Sequence, residues 1–329
     1  MGRRLVLKGS WDEVCKMALE YAEECRRRYG IRLTLRALFY WLADAQGVIV
    51  HSQIAYKKLS ERFARFRERC GKIDVLRDDT RQIREYYQFE VVDIRAWLER
   101  EIMDMLSGLE SVARLPRWYG QKYYVCILIE KESITLIDEI AYEQGVDALP
   151  TRGFSSITTM WEMAGRAWWA DIHRKIPVFL ILTDFDPSGL FIDKDYRKKL
   201  TEYMEMRSGP VPREMIFKKI AMLPEQIEKY GLPAIPHDDP KAERIRRDPR
   251  YPAWLRYCKE HRIEAQVIEL DAFAGIEPAK FREHIIHCIN EYFDEDIARR
   301  WKEEEERRVK EAIKLKKILE ERLKDFISY

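Results

Sequence analysis

Apolar residues recur three and four positions apart near the front of the chain. Val14, Met17, Ala18, Tyr21, Ala22 and Cys25 trace one stripe and predict a helix over 11–29. Ser10 stands before it as an N-cap, Glu13 completes a capping box, and Gly30 stops the helix. Thr34 and Ser52 serve as caps for two further helices over 35–45 and 53–69, the second stopped by Gly71. Three short helices followed by an extended stretch at 72–76 predict a helix-turn-helix or winged-helix lobe. Residues 82–118 read as a helical and irregular connector ending near Pro116.

The rhythm changes after Lys122. Residues 123–129 form a near-continuous apolar run with β-branched members, the pattern of a parallel strand buried on both faces. A helix over 132–144, a short strand near 149–152, a helix over 156–172 and a second apolar strand over 177–183 follow. Beyond these lie a helix over 189–204, a strand near 214–221, a strand over 265–270 and a helix over 278–292. Such alternation predicts an α/β sheet. Segments 207–213 and 231–252, rich in Pro and Gly, read as loops. In the charged tail, Val309, Ala312, Ile313, Lys316, Leu319, Leu323 and Phe326 lie near one helical stripe, which predicts a terminal helix packed on its own domain.

The expected architecture is therefore mixed α/β in four parts. Residues 1–95 form a winged-helix DNA-binding domain, 96–121 a connector, 122–293 a Rossmann-like α/β domain, and 294–329 a charged C-terminal helix. A length of 329 residues suits about two domains. With 46% apolar and 12% aromatic residues, the composition excludes a disordered chain. No apolar run reaches the ~18–20 residues of a membrane span, and no secretory signal is visible, so the expected location is cytoplasmic, nucleoid-associated in a prokaryote. Six scattered cysteines without a Cys-x-x-Cys pair argue for reduced, mostly buried thiols. The net charge of +2 conceals an asymmetry: residues 1–95 carry +6 and the remainder −4. A basic front joined to an acidic remainder points to a nucleic-acid grip attached to a carboxylate-bearing lobe.

The chemistry concentrates at two strand ends. The first strand runs out into Glu130-Lys131-Glu132 and the second into Asp184-Phe-Asp186-Pro-Ser-Gly189. Ligands of open parallel sheets gather beyond the carboxyl ends of the strands. Carboxylates that converge there raise one another's pKa unless a cation intervenes, and a hard divalent ion such as Mg²⁺ suits oxygen ligands. Glu130, Asp184 and Asp186 are the candidate metal ligands, with Lys131 and Glu132 as possible metal or phosphate support. The competing use of the aspartates is to cap the next helix, which would serve one acid and leave Glu130 without a role. In the front lobe, Arg36 and Tyr40 stand four apart and share a helix face. Lys57, Lys58, Arg62, Arg65 and Arg69 crowd the third helix, interleaved with apolar residues, as a phosphate-gripping face requires.

These elements together resemble a known family. Glu130-Lys-Glu132 and Asp184-x-Asp186-Pro-x-Gly189 are similar to the TOPRIM domain. More narrowly, the chain resembles the A subunit of topoisomerase VI and the meiotic double-strand-break transesterases. Thr151-Arg-Gly153-Phe154, Lys219-Ile-Ala221 with Pro224-Glu-Gln226, and Gln266-Val-Ile-Glu-Leu-Asp271-Ala272 resemble later parts of that domain. Thr34-Leu-Arg36-Ala-Leu-Phe39-Tyr40 resembles the family's Arg-x-x-Phe/Tyr-Tyr signature, and the likeness spans roughly residues 30–290. The overall length and Asp78-Asp-Thr-Arg81 look most like the free-standing mini-A proteins.

The resemblance implies a type IIB topoisomerase-like transesterase that cleaves duplex DNA. Tyr40 would be the nucleophile, aided by Arg36, with Mg²⁺ or a substituting Mn²⁺ on the acids. It also implies a homodimer in which the tyrosine of one subunit meets the metal site of the other, and an ATPase B-type partner for strand passage, since the chain carries no P-loop of its own. Two alternatives remain at this point: a TOPRIM metal-dependent nuclease using water, and a non-catalytic DNA-binding relative.

Overall fold

The computed structural model describes residues 10–72, 75–76, 94–151, 157–206, 214–236 and 238–327. The side chains of residues 94–96, 99, 130–132, 151, 157–160 and 323–327 lie outside the description. So do Asp78–Arg81 and most of Thr151–Phe154, together with the segment where a wing would follow the third helix.

The front helices form where the caps predict. Helix α1 (Trp11–Tyr29) begins on a complete Ser10–Glu13 capping box and ends on Gly30 in the left-handed conformation. Helix α2 (Leu35–Tyr40) starts at Thr34, whose hydroxyl accepts from the Ala37 amide, and runs on as a π-helical turn over Trp41–Ala45. Helix α3 (Gln53–Cys70) starts at Ser52 and ends at Gly71. Its Ala55, Leu59 and Phe63 are buried, while Lys57, Lys58, Arg62, Arg65 and Arg69 stay on the exposed side. The expected extended stretch after α3 is not seen among the described residues, where Val75 begins a 3-10 turn.

Helix α4 (Ile94–Ala113) leads to strand β1 (Tyr123–Glu130) and a 3-10 turn over Lys131–Leu136. Then come α5 (Asp138–Gln144), β2 (Asp147–Thr151), α6 (Ile157–Ile172), β3 (Ile176–Leu182), α7 (Pro187–Met206) and β4 (Ile216–Ala221). The remainder is helical: α8 (Pro224–Tyr230), α9 (Pro240–Arg246), α10 (Tyr251–Glu260), α11 (Leu270–Ile276), α12 (Pro278–Asn290) and α13 (Glu295–Ile327). The chain is thus mixed α/β, mostly helical, around one four-stranded parallel sheet of order β2-β1-β3-β4.

The sheet explains the apolar runs. Val178–Leu182 are buried without exception, and Val125–Ile129 likewise, because helices cover both faces. Cys126, Leu128, Phe179 and Ile181 pack with Met163, Ala164 and Ala167 of α6 and with Ile192, Tyr196 and Leu200 of α7. Each such aliphatic residue contributes about 1.5–3 kcal/mol of hydrophobic burial. The strand order reverses between β1 and β3, and their register sets Ile129 opposite Leu182. The crevice of an open parallel sheet opens at that switch point.

The strand expected at 265–270 does not form. Ile268 makes a single antiparallel bridge to Phe185, with backbone bonds of 2.8 and 3.2 Å, and the chain then turns into α11 at Leu270. The apolar run has one face against the sheet's edge loop and needs no second ladder.

The compact units also differ from the four-part linear division. Residues 1–81 and 123–292 form one unit, and 82–122 with 293–329 form the other. In the second unit the connector helix α4 and the tail helix α13 are partners. Arg308 donates to the Ala113 carbonyl at 3.2 Å, and Lys316 reaches Glu110 at 3.3 Å. The tail helix thus packs on the connector through Arg308 and Lys316, with Ala312 buried between them. In the first unit α2 lies directly on α11, where Gly275 has no space for a side chain. A Cβ there would stand 2.2 Å from the Ala37 carbonyl oxygen. Gly275→Ala is expected to destabilise the first unit by about 1–3 kcal/mol or more, read as a lowered denaturation midpoint, because the obstacle is backbone rather than a movable side chain.

Candidate functional site

The turn after β3 carries the acids and is built by close packing. Asp186 stands just before Pro187, the first residue of α7, and accepts from the Gly189 amide at 2.6 Å. Gly189 is needed because a Cβ there would stand 2.2 Å from the Asp184 carbonyl oxygen. Asp184 has a different task. One of its carboxylate oxygens accepts from the Leu270 amide at 2.9 Å, at the start of α11. The capping alternative therefore applies to both acids, each at a different helix: Asp186 at α7 and Asp184 at α11. Spacing alone shows only the nearer helix.

Around Asp184 a network of charge reaches α2. Lys241, from the first turn of α9, bridges Asp184 and Glu269, the latter at 3.2 Å. Arg36 donates through Nε to Glu269 Oε2 at 2.6 Å and through Nη2 to Asp239 at 2.6 Å. Its remaining nitrogen faces Gln53 at 3.3 Å. The Tyr40 hydroxyl donates to the same Oε2 of Glu269 at 2.9 Å. The Arg36 guanidinium also lies 5.4 Å from the Tyr40 ring centre, so the expected pairing of Arg36 and Tyr40 on one helix face is realised. Phe39, which touches Tyr40 edge-on, and the stacked pair of Tyr21 and Trp41 supply the surrounding packing.

The electrostatics follow from burial and charge. Tyr40 is wholly buried, and desolvation together with the Glu269 charge holds its phenol well above the ordinary tyrosine range. Burial would raise the Glu269 carboxyl, but Lys241 and Arg36 overcome it and hold the group below its usual value. Burial pushes the Asp186 carboxyl up, and the neighbouring Asp184 adds to this. Lys219, on β4, donates to the Gly189 carbonyl at 3.1 Å and is pulled down to about 8 by burial. Asp271 accepts from Thr34 and, at 3.0 Å, from Ser133. Burial first, then Glu269, pushes it up to about 7.

Of the expected metal ligands, Asp184 and Asp186 come close enough at the end of β3 for the Asp184 charge to raise the Asp186 carboxyl, with Lys241 and Lys219 opposing it. Lys241 already supplies one positive charge to Asp184. The side chains of Glu130, Lys131 and Glu132 lie outside the description, although the strand register carries Glu130 to the same end of the sheet. Among the described residues no group of three or more His, Cys, Asp or Glu side chains is arranged to hold a metal. On α3, Arg65 pairs with Glu61 at 2.8 Å and Arg69 with Asp12 of α1 at 2.8 Å, both exposed. Exposed pairs of this kind contribute little to stability.

Sequence reasoning gave no role to Glu269, Asp271, Asp239 or Lys241. The available signal was chemical context: Glu269 and Asp271 interrupt an otherwise apolar run from Val267 to Ala274, where acids stay only if partnered. Asp239 and Lys241 sit in a segment that reads as loop, and nothing local points them at α2. Comparisons with family models, curated proteins and solved structures return no match for this chain.

Asp271 generates a pH prediction. Its folded carboxyl titrates near 7, against 3.8 ordinarily, so between those values the unfolded state binds fewer protons. Stability contributed by the neutral form is present below about pH 4 and is lost as pH rises through about 7. Asp271→Asn, which keeps the shape and one accepted bond and turns the other into a donated one, is expected to gain stability over the wild type as pH rises from 4 to 8 in parallel melts. A constant difference across that range would contradict the assignment.

Proposed function

We propose that the protein is a DNA-cleaving transesterase of the topoisomerase VI A type, with Tyr40 as nucleophile. The observation that carries this reading is the continuous hydrogen-bonded path from the Tyr40 hydroxyl through Glu269 and Lys241 to Asp184. A buried tyrosine serving only as core packs its ring and needs one partner of any kind for its hydroxyl. Here the hydroxyl is turned to the charged end of the sheet, beside an arginine held by two carboxylates.

In the proposed reaction the Tyr40 phenol gives up its proton as its oxygen attacks a backbone phosphorus, the bond from phosphorus to the 3′ oxygen breaks, and the 3′ oxygen takes up a proton in turn, so that no proton is gained or lost overall. The product is a 5′ phosphotyrosyl link and a free 3′ hydroxyl, with the diester bond energy conserved for resealing. Arg36 would neutralise charge on the phosphate. Asp184 and Asp186, with Glu130, would hold Mg²⁺ or Mn²⁺, which supplies electrostatic stabilisation of the phosphate and the leaving oxygen. Lys57, Lys58, Arg62, Arg65 and Arg69 would grip the duplex through salt-sensitive phosphate contacts. A homodimer and an ATPase partner belong to this proposal as the resemblance implies them, although the path that carries it joins Tyr40 to the Asp184 of its own chain and not of a second subunit. No helix among the described residues is long and apolar enough to cross a membrane.

A second reading, a non-catalytic DNA-binding relative, draws on the complete burial of Tyr40 and on the capping work of both aspartates. A hydrolase using water draws on the same acids and does not need Tyr40. One experiment separates all three. The protein is incubated with duplex DNA and Mg²⁺, stopped in denaturant, and covalent complexes are captured. The wild type is expected to give a protein–DNA adduct that Tyr40→Phe abolishes while duplex binding persists. Cleaved ends without attached protein, insensitive to Tyr40→Phe, select the hydrolase. Binding without any cleavage selects the non-catalytic relative.

A further inference from the structure

Three hydrogen-bond donors converge on one carboxylate. Arg36 Nε and the Tyr40 hydroxyl meet on Glu269 Oε2 at 2.6 and 2.9 Å, and Lys241 meets Oε1 at 3.2 Å. A guanidinium, an ammonium and a hydroxyl arranged about two oxygens of one anion form the donor set that also suits a phosphodiester, whose two non-bridging oxygens carry one negative charge. Glu269 itself is nearly buried, so the cradle is enclosed, and the side chains of Lys241 and Arg36 keep 21% and 15% of their surface exposed beside it. Asp239 holds Arg36 from the other side and would keep the guanidinium in place if Glu269 left.

We infer that Arg36, Lys241 and Tyr40 form a seat for one backbone phosphate of DNA, and that Glu269 occupies this seat as an internal stand-in until DNA displaces it. The seat deepens the transesterase reading and rests on it only for the adduct described below. Its consequences for binding hold whether or not Tyr40 reacts. In the seat one singly charged anion takes the place of another, and Asp239 and Asp184 keep Arg36 and Lys241 paired during the exchange. With Glu269 in the seat, the Tyr40 hydroxyl is spent on a carboxylate and sealed from solvent. With a phosphate there, the same hydroxyl lies against the group it would attack. Glu269 is thus a positioning residue that holds the tyrosine in an unreactive arrangement and sets how tightly DNA must bind to release it.

The test measures duplex binding and adduct yield for the wild type, Glu269→Gln and Lys241→Gln in full-length protein. Each variant's fold is checked by its melting curve. Glu269→Gln keeps the shape and removes the competing charge, so a plain duplex of about thirty base pairs is expected to bind about tenfold more tightly, the scale of one charge-assisted contact. The Tyr40-dependent adduct is expected to rise with it. Lys241→Gln is expected to weaken duplex binding about threefold or more. Glu269→Gln binding no tighter than the wild type overturns the inference, as does a lost adduct with unchanged affinity, which would make Glu269 a proton acceptor instead. If Glu269→Gln does not fold, Lys241→Gln decides alone, and undiminished binding overturns the seat. If no protein yields an adduct yet affinity ranks Glu269→Gln above the wild type and the wild type above Lys241→Gln, the seat stands and the transesterase reading falls.

Discussion

The buried charge around Glu269 is the constraint on which the first unit depends. A carboxylate removed from water loses several kcal/mol of solvation, and only close partners offset this. Here Arg36 comes from α2, Lys241 from α9 and Tyr40 from α2, while the carboxylate itself stands at the head of α11. Asp239 and Asp184 give Arg36 and Lys241 a second carboxylate each. The network therefore ties the front helices to the loops beyond the sheet with directional bonds, where apolar contacts alone would allow sliding.

The same region is where the backbone comes closest. Gly275 brings α11 onto the Ala37 carbonyl, and the Tyr21 hydroxyl donates to the Gly275 carbonyl at 2.9 Å. Asp271 adds bonds to Thr34 and Ser133, so the cap residue of α2 and the turn after β1 share one acid. Packing and polar contacts thus point to one arrangement, the condition for a unique structure. The helix carrying Tyr40 is thereby held at the carboxyl end of the sheet, where the strand order reverses between β1 and β3.

Much of the fold was legible in the chain. Ser10, Thr34 and Ser52 cap the three front helices as expected, and Gly30 and Gly71 close two of them, because capping is a local exchange of backbone and side-chain hydrogen bonds. The apolar runs before Glu130 and Asp184 became buried parallel strands. The run before Asp271 became a single bridge and a helix start, since a short apolar stretch has the same pattern in either state. The site was legible in part. Asp184 and Asp186 were found from their spacing, but their separate helices were not, and Glu269 and Lys241 carried no spacing signal relative to Arg36.

The sequence by itself determined the local elements, the acids at the strand end and the pairing of Arg36 with Tyr40, because each depends on residues within a turn or two of one another. Only the tertiary structure decided that the connector pairs with the tail helix, that Asp184 starts α11, and that Arg36 and Tyr40 meet on Glu269. Those contacts join residues some 80 to 230 positions apart. Desolvation enforces them: a buried charge must find its partner wherever the chain brings one, and no local pattern records which partner that will be.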